Sequence, residues 1–257
     1  MKRQKFSILP LAAAMLVLFT SSTTILFIGD SITDGNWGNP VGYPCPTEKR
    51  SLTDKNHIYG HGYVFLVASK YESEEPCAER RFLNRGISGN TLADLEARWQ
   101  SDVIANRPDL VSILVGTNDV HYWLDGDKTV PFDYTGWEKR YRSLLDTTLD
   151  SLPDVQFVIG APFTAASGWA GTREDFSERE AMIAHLDAIT ARIAADYHAT
   201  YLPYDKMFHR LQSIPDLPAD YWIWDGIHPT PAGHRRMADL WLNSVTLPPR
   251  NTDNTNF

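Results

Sequence analysis

"ILFIGDSITDG", Ile25–Gly35, decides how the rest of the chain is read. Ile25, Leu26, Phe27 and Ile28 form an unbroken apolar run that ends abruptly in Gly-Asp-Ser. A strand with one wet face alternates apolar and polar residues. An unbroken run marks a strand buried on both faces, which is the habit of parallel sheets covered by helices. In such sheets ligands bind just beyond the carboxyl ends of the strands. Ser31, two residues past that end, is therefore either a turn residue or a nucleophile.

The same alternation of elements continues outward from this strand. Gly62–Tyr71 reads as a helix and Arg81–Leu83 as a short strand. Leu92, Leu95, Trp99 and Val103 then recur at helical spacing on one face. Leu110–Val115 is a second buried strand. It is followed by the stripe Trp137, Tyr141, Leu144, Leu145 and Leu149, and by a strand at Val155–Ile159. Met182, Leu186, Ile189, Ile193 and Tyr197 mark a long helix, and Thr200–Leu202 a last strand. Thr230 and Pro231 open a final helix carrying Met237, Leu240 and Trp241. Strand–helix alternation of this kind predicts an α/β fold with a parallel sheet between two helical layers. Three polar loops, "GDS", "GISGNT" and "GTND", then follow the ends of successive strands and converge on one rim.

A serine hydroxyl needs a general base, the base needs an orienting acceptor, and the developing oxyanion needs donors. "DGIHPT" places Asp225 and His228 three apart, so that on a loop the carboxylate can reach Nδ1 and leave Nε2 for Ser31. Gly86 and Gly89 let backbone N–H groups approach a substrate, and the Asn118 amide can donate to an oxyanion. Each motif alone also reads as an ordinary turn or cap. Together, and in this order, they resemble the SGNH/GDSL hydrolases. "FIGDSITDG", "NRGISGNT", "VGTND" and "DGIHPTPAGH" match the four blocks of that family, over roughly Ile25 to Trp241. The resemblance implies a single-domain, three-layer α/β/α flavodoxin-like fold and serine esterase chemistry without metal or cofactor. It implies catalytic residues Ser31, Asp225 and His228. It also implies an oxyanion hole formed by the Ser31 and Gly89 backbone N–H groups and the Asn118 side chain.

Other residues take smaller roles in this reading. Asp30, Asp34 and Asp119 are expected to fix loops through hydrogen bonds, and His57 and His61 to be structural. His121, Tyr122 and Trp123 follow the Asn118 loop, and Trp222 and Trp224 precede Asp225. His121, Tyr122, Trp123 and Trp224 are candidate substrate-lining residues, with core packing the competing account of the aromatics.

The 257 residues are 43% hydrophobic and 22% charged, enough for one packed core and too ordered a composition for disorder. A net charge of -8 without a basic run argues against nucleic acid, whose binding depends on phosphate neutralisation. "MKRQK", the apolar stretch Phe6–Phe19 and small residues at Thr20–Ser22 have the layout of a secretory signal peptide over residues 1–22. The apolar stretch is short of the roughly 20 residues of a membrane span. That leaves a hydrolase domain over 23–247, a polar tail over 248–257, and an exported protein with no stable membrane span. Cys45 and Cys77 are the only cysteines, and the reading leaves open whether they form a disulfide or stay as thiols. Export and aromatics at the rim point to a carbohydrate O-deacetylase. A lysophospholipase or short-chain lipid esterase is the alternative enzyme, and a catalytically idle glycan-binding module is the alternative of another class.

Overall fold

The computed structural model describes residues 22–35, 45–50 and 57–248. Strands β1 (Thr23–Gly29), β2 (Arg80–Gly86), β3 (Leu110–Leu114), β4 (Gln156–Gly160) and β5 (Thr200–Leu202) form one parallel sheet in the order β2-β1-β3-β4-β5. This is the flavodoxin-like doubly wound order, in which the chain turns back at β1 and β3. Period-two alternation sends side chains to both faces. Leu26, Ile28, Val111, Ile113, Phe157 and Ile159 join one apolar core. Ile25, Phe27, Leu110, Leu114 and Val158 join the other.

Helices α3 (Leu92–Asp102), α5 (Tyr134–Ser151) and α7 (Phe176–Asp196) cover the first core, and α4 (Thr117–Asp125) adds Val120 and Leu124 to it. Helices α2 (Tyr63–Glu74), α8 (Tyr204–Gln212) and α9 (Pro231–Ser244) cover the second. α9 is opened by Thr230, whose hydroxyl accepts from Gly233 N–H, with Pro231 at the first turn. It is fixed to the sheet by Trp241, fully buried, whose Nε1–H donates to Ser112 Oγ of β3 at 3.1 Å. The expected strands and helices are present, with β2 four residues longer than "RFL" because it starts at Arg80 and runs on through Asn84 to Gly86. Helices α4 and α8 are additions to the reading.

Register sets the position of the site. Gly29 pairs with both Gly86 and Leu114, Leu114 with Gly160, and Gly160 with Leu202. The carboxyl ends of all five strands therefore form one row, and the loops carrying Ser31, Gly89 and Asn118 rise from it side by side.

Of the expected signal segment over 1–22 and the tail over 248–257, residues 1–21 and 249–257 lie outside the described residues. No described helix is long and apolar enough to cross a membrane. The structure does not join Cys45 to Cys77. The Cys45 thiol donates to the Pro46 carbonyl at 3.7 Å, and its own carbonyl accepts from Arg50, whose guanidinium also reaches Gly86 at the carboxyl end of β2. Cys77 precedes the other end of β2. A seven-residue strand spans about 23 Å, far beyond the Cα separation a disulfide tolerates.

Candidate active site

Ser31 is the first residue of the short helix α1 (Ser31–Asp34). Asp30 caps it by accepting from Ile32 N–H at 2.9 Å, which turns the chain sharply out of β1 and presents the serine hydroxyl on the rim. Ser31 Oγ donates to His228 Nε2 at 2.8 Å, and His228 Nδ1–H donates to Asp225 Oδ2 at 2.6 Å. The second carboxylate oxygen of Asp225 accepts from Ile227 N–H at 3.0 Å and His228 N–H at 2.7 Å. The carboxylate is thus fixed by its own turn and can face the imidazole in only one way. The turn needs Gly226, whose φ of 92° is in the left-handed region that side chains disfavour. The segment running into α6 (Gly168–Gly171), with that helix, clamps this turn: Thr164 Oγ1 and Ala165 N–H donate to Gly226 O, Ser167 Oγ to Ile223 O, and Ala170 N–H to Asp225 O.

The electrostatics follow from this geometry. Burial opposes charge on His228, but the Asp225 hydrogen bond and the negative charges of Asp225 and Asp30 outweigh it and raise its pKa. Burial also opposes charge on Asp225, yet the hydrogen bonds and charge from His228 hold its carboxyl below the ordinary value. Asp30, 1% exposed, is pushed up to about 7 by burial, against the Ile32 N–H bond that favours its ionised form.

Gly89 and Asn118 lie on the neighbouring loops. Gly89 has a φ of 83°, and a Cβ there would lie 3.0 Å from the Tyr122 hydroxyl. Asn118 is 7% exposed and donates one amide hydrogen to Asn90 O at 3.1 Å, which aims the side chain along the Gly89 loop. Among the described residues no acceptor takes the backbone N–H of Ser31 or of Gly89. Buried ionic residues hold these loops in register. Asp34 accepts from Ser88 N–H and Oγ at 3.2 and 3.1 Å and pairs with Arg50 at 3.2 Å, tying α1 to the Gly89 loop. Asp119 accepts from Leu92 N–H and Trp137 Nε1–H, tying α4 to α3, and burial pushes it up to about 6. Arg98 on α3 donates to Gly29 O, Arg85 O and Asn90 Oδ1, so one side chain spans the ends of β1 and β2 and the Gly89 loop. Arg98 and Arg50 are absent from the sequence reading. A lone arginine on a polar helix face or in a loop carries no signal of what it will bridge.

The rim is aromatic. Tyr122 is 49% exposed and Trp224 58%, and Trp224 stacks over His228 with centroids 6.4 Å apart. His121 lies against Tyr122 with centroids 5.3 Å apart. One expectation is corrected here. Trp123 faces the loop after α4, where its Nε1–H donates to Val130 O at 3.0 Å and its ring meets Lys128 and Phe132. It is one step around the helix from Tyr122 and holds that loop in place. Trp222 is buried and donates to Leu211 O. Trp169, 47% exposed and in edge contact with His121, joins the rim, although it was absent from the sequence reading.

A serine hydrogen-bonded to a carboxylate-oriented histidine, on the strand-end rim of a doubly wound sheet, is the arrangement of a hydrolase. The sequence model of the GDSL-like lipase/acylhydrolase family matches residues 27–236. The chain belongs to that family. As a GDSL esterase it is 32% identical over 230 residues to an acetylxylan esterase of Geobacillus stearothermophilus, covering 88% of this chain and 94% of the relative. A crystal structure of an acetylxylan esterase from the same organism superposes with a TM-score of 0.68 at 29% identity, covering 87% of this chain and 94% of that one. A GDSL-like lipase structure from Parabacteroides merdae superposes with a TM-score of 0.73 at 30% identity, covering 87% and 95% of the two chains. Catalytic mutants of the Geobacillus esterase replace a serine, an aspartate and a histidine, the last two three positions apart. Family membership and these relatives make the protein a carboxylic ester hydrolase.

Proposed function

We propose that this esterase is an exported carbohydrate O-deacetylase that works through an acyl-enzyme on Ser31. The observation that carries the reading is the hydrogen-bonded chain Ser31–His228–Asp225 opening onto a rim of exposed tryptophan and tyrosine. Similarity to an acetylxylan esterase supports the acyl group, and the amphipathic rings support a sugar. Export rests on the basic and apolar layout of residues 1–22.

His228 Nε2 takes the Ser31 hydroxyl proton as Oγ attacks the ester carbonyl carbon, while Asp225 holds the imidazole and stabilises its charged form without being protonated. The carbonyl oxygen becomes an oxyanion and is met by the Ser31 and Gly89 N–H groups and by Asn118 Nδ2. Collapse breaks the bond to the sugar oxygen, which leaves with the proton from Nε2. Water then gives a proton to Nε2 as it attacks the acyl carbonyl. Acetate departs and Ser31 recovers its proton.

Hydrolysis of p-nitrophenyl esters from acetate to decanoate, with Ser31→Ala as the blank, tests this. The expected result is a Ser31-dependent rate that is greatest on acetate and collapses with chain length, together with release of acetate from acetylated xylan. A maximum at medium or long chains would replace the reading with a lipid esterase. No Ser31-dependent rate on any ester would leave the idle glycan-binding module.

A further inference from the structure

The rim contains a feature that the esterase chemistry does not use. Trp169 stands near the end of the segment that clamps the Asp225 turn, with Ala170 N–H donating to Asp225 O at 3.0 Å. Its ring meets His121 edge-on, with centroids 5.3 Å apart, and His121 lies against Tyr122, which in turn reaches Gly89. Trp169, His121 and Tyr122 therefore form an arc that reaches the Gly89 loop, and its start is fastened to the turn that carries Trp224 and His228.

Trp169 is held in an unusual way. Arg173 lies over its ring at 5.0 Å and Arg179 at 5.8 Å. Arg173 is taken up by Asp125 at 2.7 Å and Asp175 at 2.8 Å. Arg179 is fully buried, yet its Nε and Nη1 meet no acceptor among the described residues, and its Nη2 bonds only His121 Nδ1, at 3.2 Å. A buried guanidinium with two unmatched nitrogens is costly to fold around. What this one touches is the ring of Trp169 and the imidazole beside it, where the cation–π attraction is strengthened by desolvation. The result is an indole fixed in orientation while 47% of its surface stays in water.

We propose that Trp169 is a stacking platform for a neutral sugar ring of the substrate, with Tyr122 flanking it across His121, so that the ring next to the acetylated one is held beside Ser31. This rests on the deacetylase reading and names the specificity-determining residue of that site. An acyl chain calls for a concave apolar channel. Trp169 instead projects from the rim among Arg173, Asp125 and Asp175, so it offers a flat apolar face bordered by hydrogen-bonding groups, which matches the C–H face and hydroxyl edge of a pyranose. With Arg173 neutralised by two carboxylates, the platform gives an anionic sugar no free cation to pair with.

Steady-state kinetics of the wild type, Trp169→Ala and Trp169→Phe on an O-acetylated xylo-oligosaccharide and on p-nitrophenyl acetate test the proposal. In Trp169→Ala the ratio of kcat/KM on the oligosaccharide to that on p-nitrophenyl acetate is expected to fall about tenfold, mainly through KM, the effect of losing one well-packed aromatic contact. Trp169→Phe should recover most of it. Equal losses on both substrates would mean that the indole only props the Asp225 turn, and an unmoved ratio would also overturn the platform. In a Ser31→Ala background, unacetylated xylohexaose should quench tryptophan fluorescence, and adding Trp169→Ala should abolish the quench. Quenching without turnover of the acetylated sugar would sink the deacetylase reading and keep the platform. Turnover with an unmoved ratio would sink the platform alone, and neither turnover nor quenching would sink both.

Discussion

Replacing Asp225 by Asn changes a single atom in the relay and should nearly abolish it. The carboxylate accepts three hydrogen bonds: Ile227 N–H and His228 N–H on Oδ1, and His228 Nδ1–H on Oδ2 at 2.6 Å. In Asp225→Asn the amide oxygen keeps the two backbone bonds, so the amide nitrogen must occupy the place of Oδ2. An amide nitrogen only donates, and so the facing Nδ1 must become the acceptor. The imidazole proton then moves to Nε2, 2.8 Å from Ser31 Oγ, and the base has lost its lone pair toward the nucleophile. The same change in a serine-protease triad costs roughly 10⁴-fold in turnover, and that is the size expected here. Folding should suffer far less, by about 1.5–3 kcal/mol for one charge-assisted hydrogen bond. With the Asp225 charge gone, burial is the largest remaining influence on His228, and its pKa should fall from its raised value. The assay is kcat/KM on p-nitrophenyl acetate from pH 5 to 9, beside a thermal melt. A folded Asp225→Asn protein within tenfold of wild-type activity near pH 7 would refute the tautomer argument.

The other predictions come from the same geometry. Asn118→Ala should lower kcat by roughly 100- to 1,000-fold, and a near-normal rate would remove Asn118 from the oxyanion hole. In the wild type, His228 must be unprotonated to act as base, and its pKa is raised. Activity should therefore fall with decreasing pH along a limb whose midpoint lies above 6.5, the ordinary histidine value, and a midpoint below it would contradict the Asp225 and Asp30 influence. Asp34→Ala removes the carboxylate that pairs with the buried Arg50 guanidinium, and should destabilise the fold by about 3–5 kcal/mol in urea titration. Gly89→Ala forces a side chain into φ 83° and against Tyr122, so it should slow turnover more than it lowers the melting temperature.

Much of this site was legible because its chemistry lies close to strand ends in sequence. Ile25–Ile28 and Leu110–Leu114 announce themselves as apolar runs, and Ser31, Gly89 and Asn118 follow their strands by two, three and four residues. Asp225 and His228 reach the rim from the far end of the chain, and only the conjunction with the other motifs marked them. The less legible parts depend on contacts between segments. Trp169 lies in a glycine- and alanine-rich stretch without periodicity, and it becomes a rim residue only because four hydrogen bonds fasten that stretch to residues 223–226. Trp123 and Tyr122 are adjacent in sequence, yet the 100° step of a helix sends one to the 128–132 loop and the other to the rim. Helix α8 follows Pro203 and buries only Tyr204, Asp205 and Phe208, too short a stripe to stand out. Whether Cys45 pairs with Cys77 stayed open in the sequence because spacing says nothing of which end of β2 each cysteine meets.

The most direct test of the account is where a mechanism-based probe lands. Treating the protein with a fluorophosphonate and mapping the adduct by peptide mass spectrometry should place a single modification on Ser31, abolished in Ser31→Ala and strongly slowed in Asp225→Asn. An unmodified protein that still hydrolyses esters, or an adduct on a different serine, would contradict Ser31 as the nucleophile.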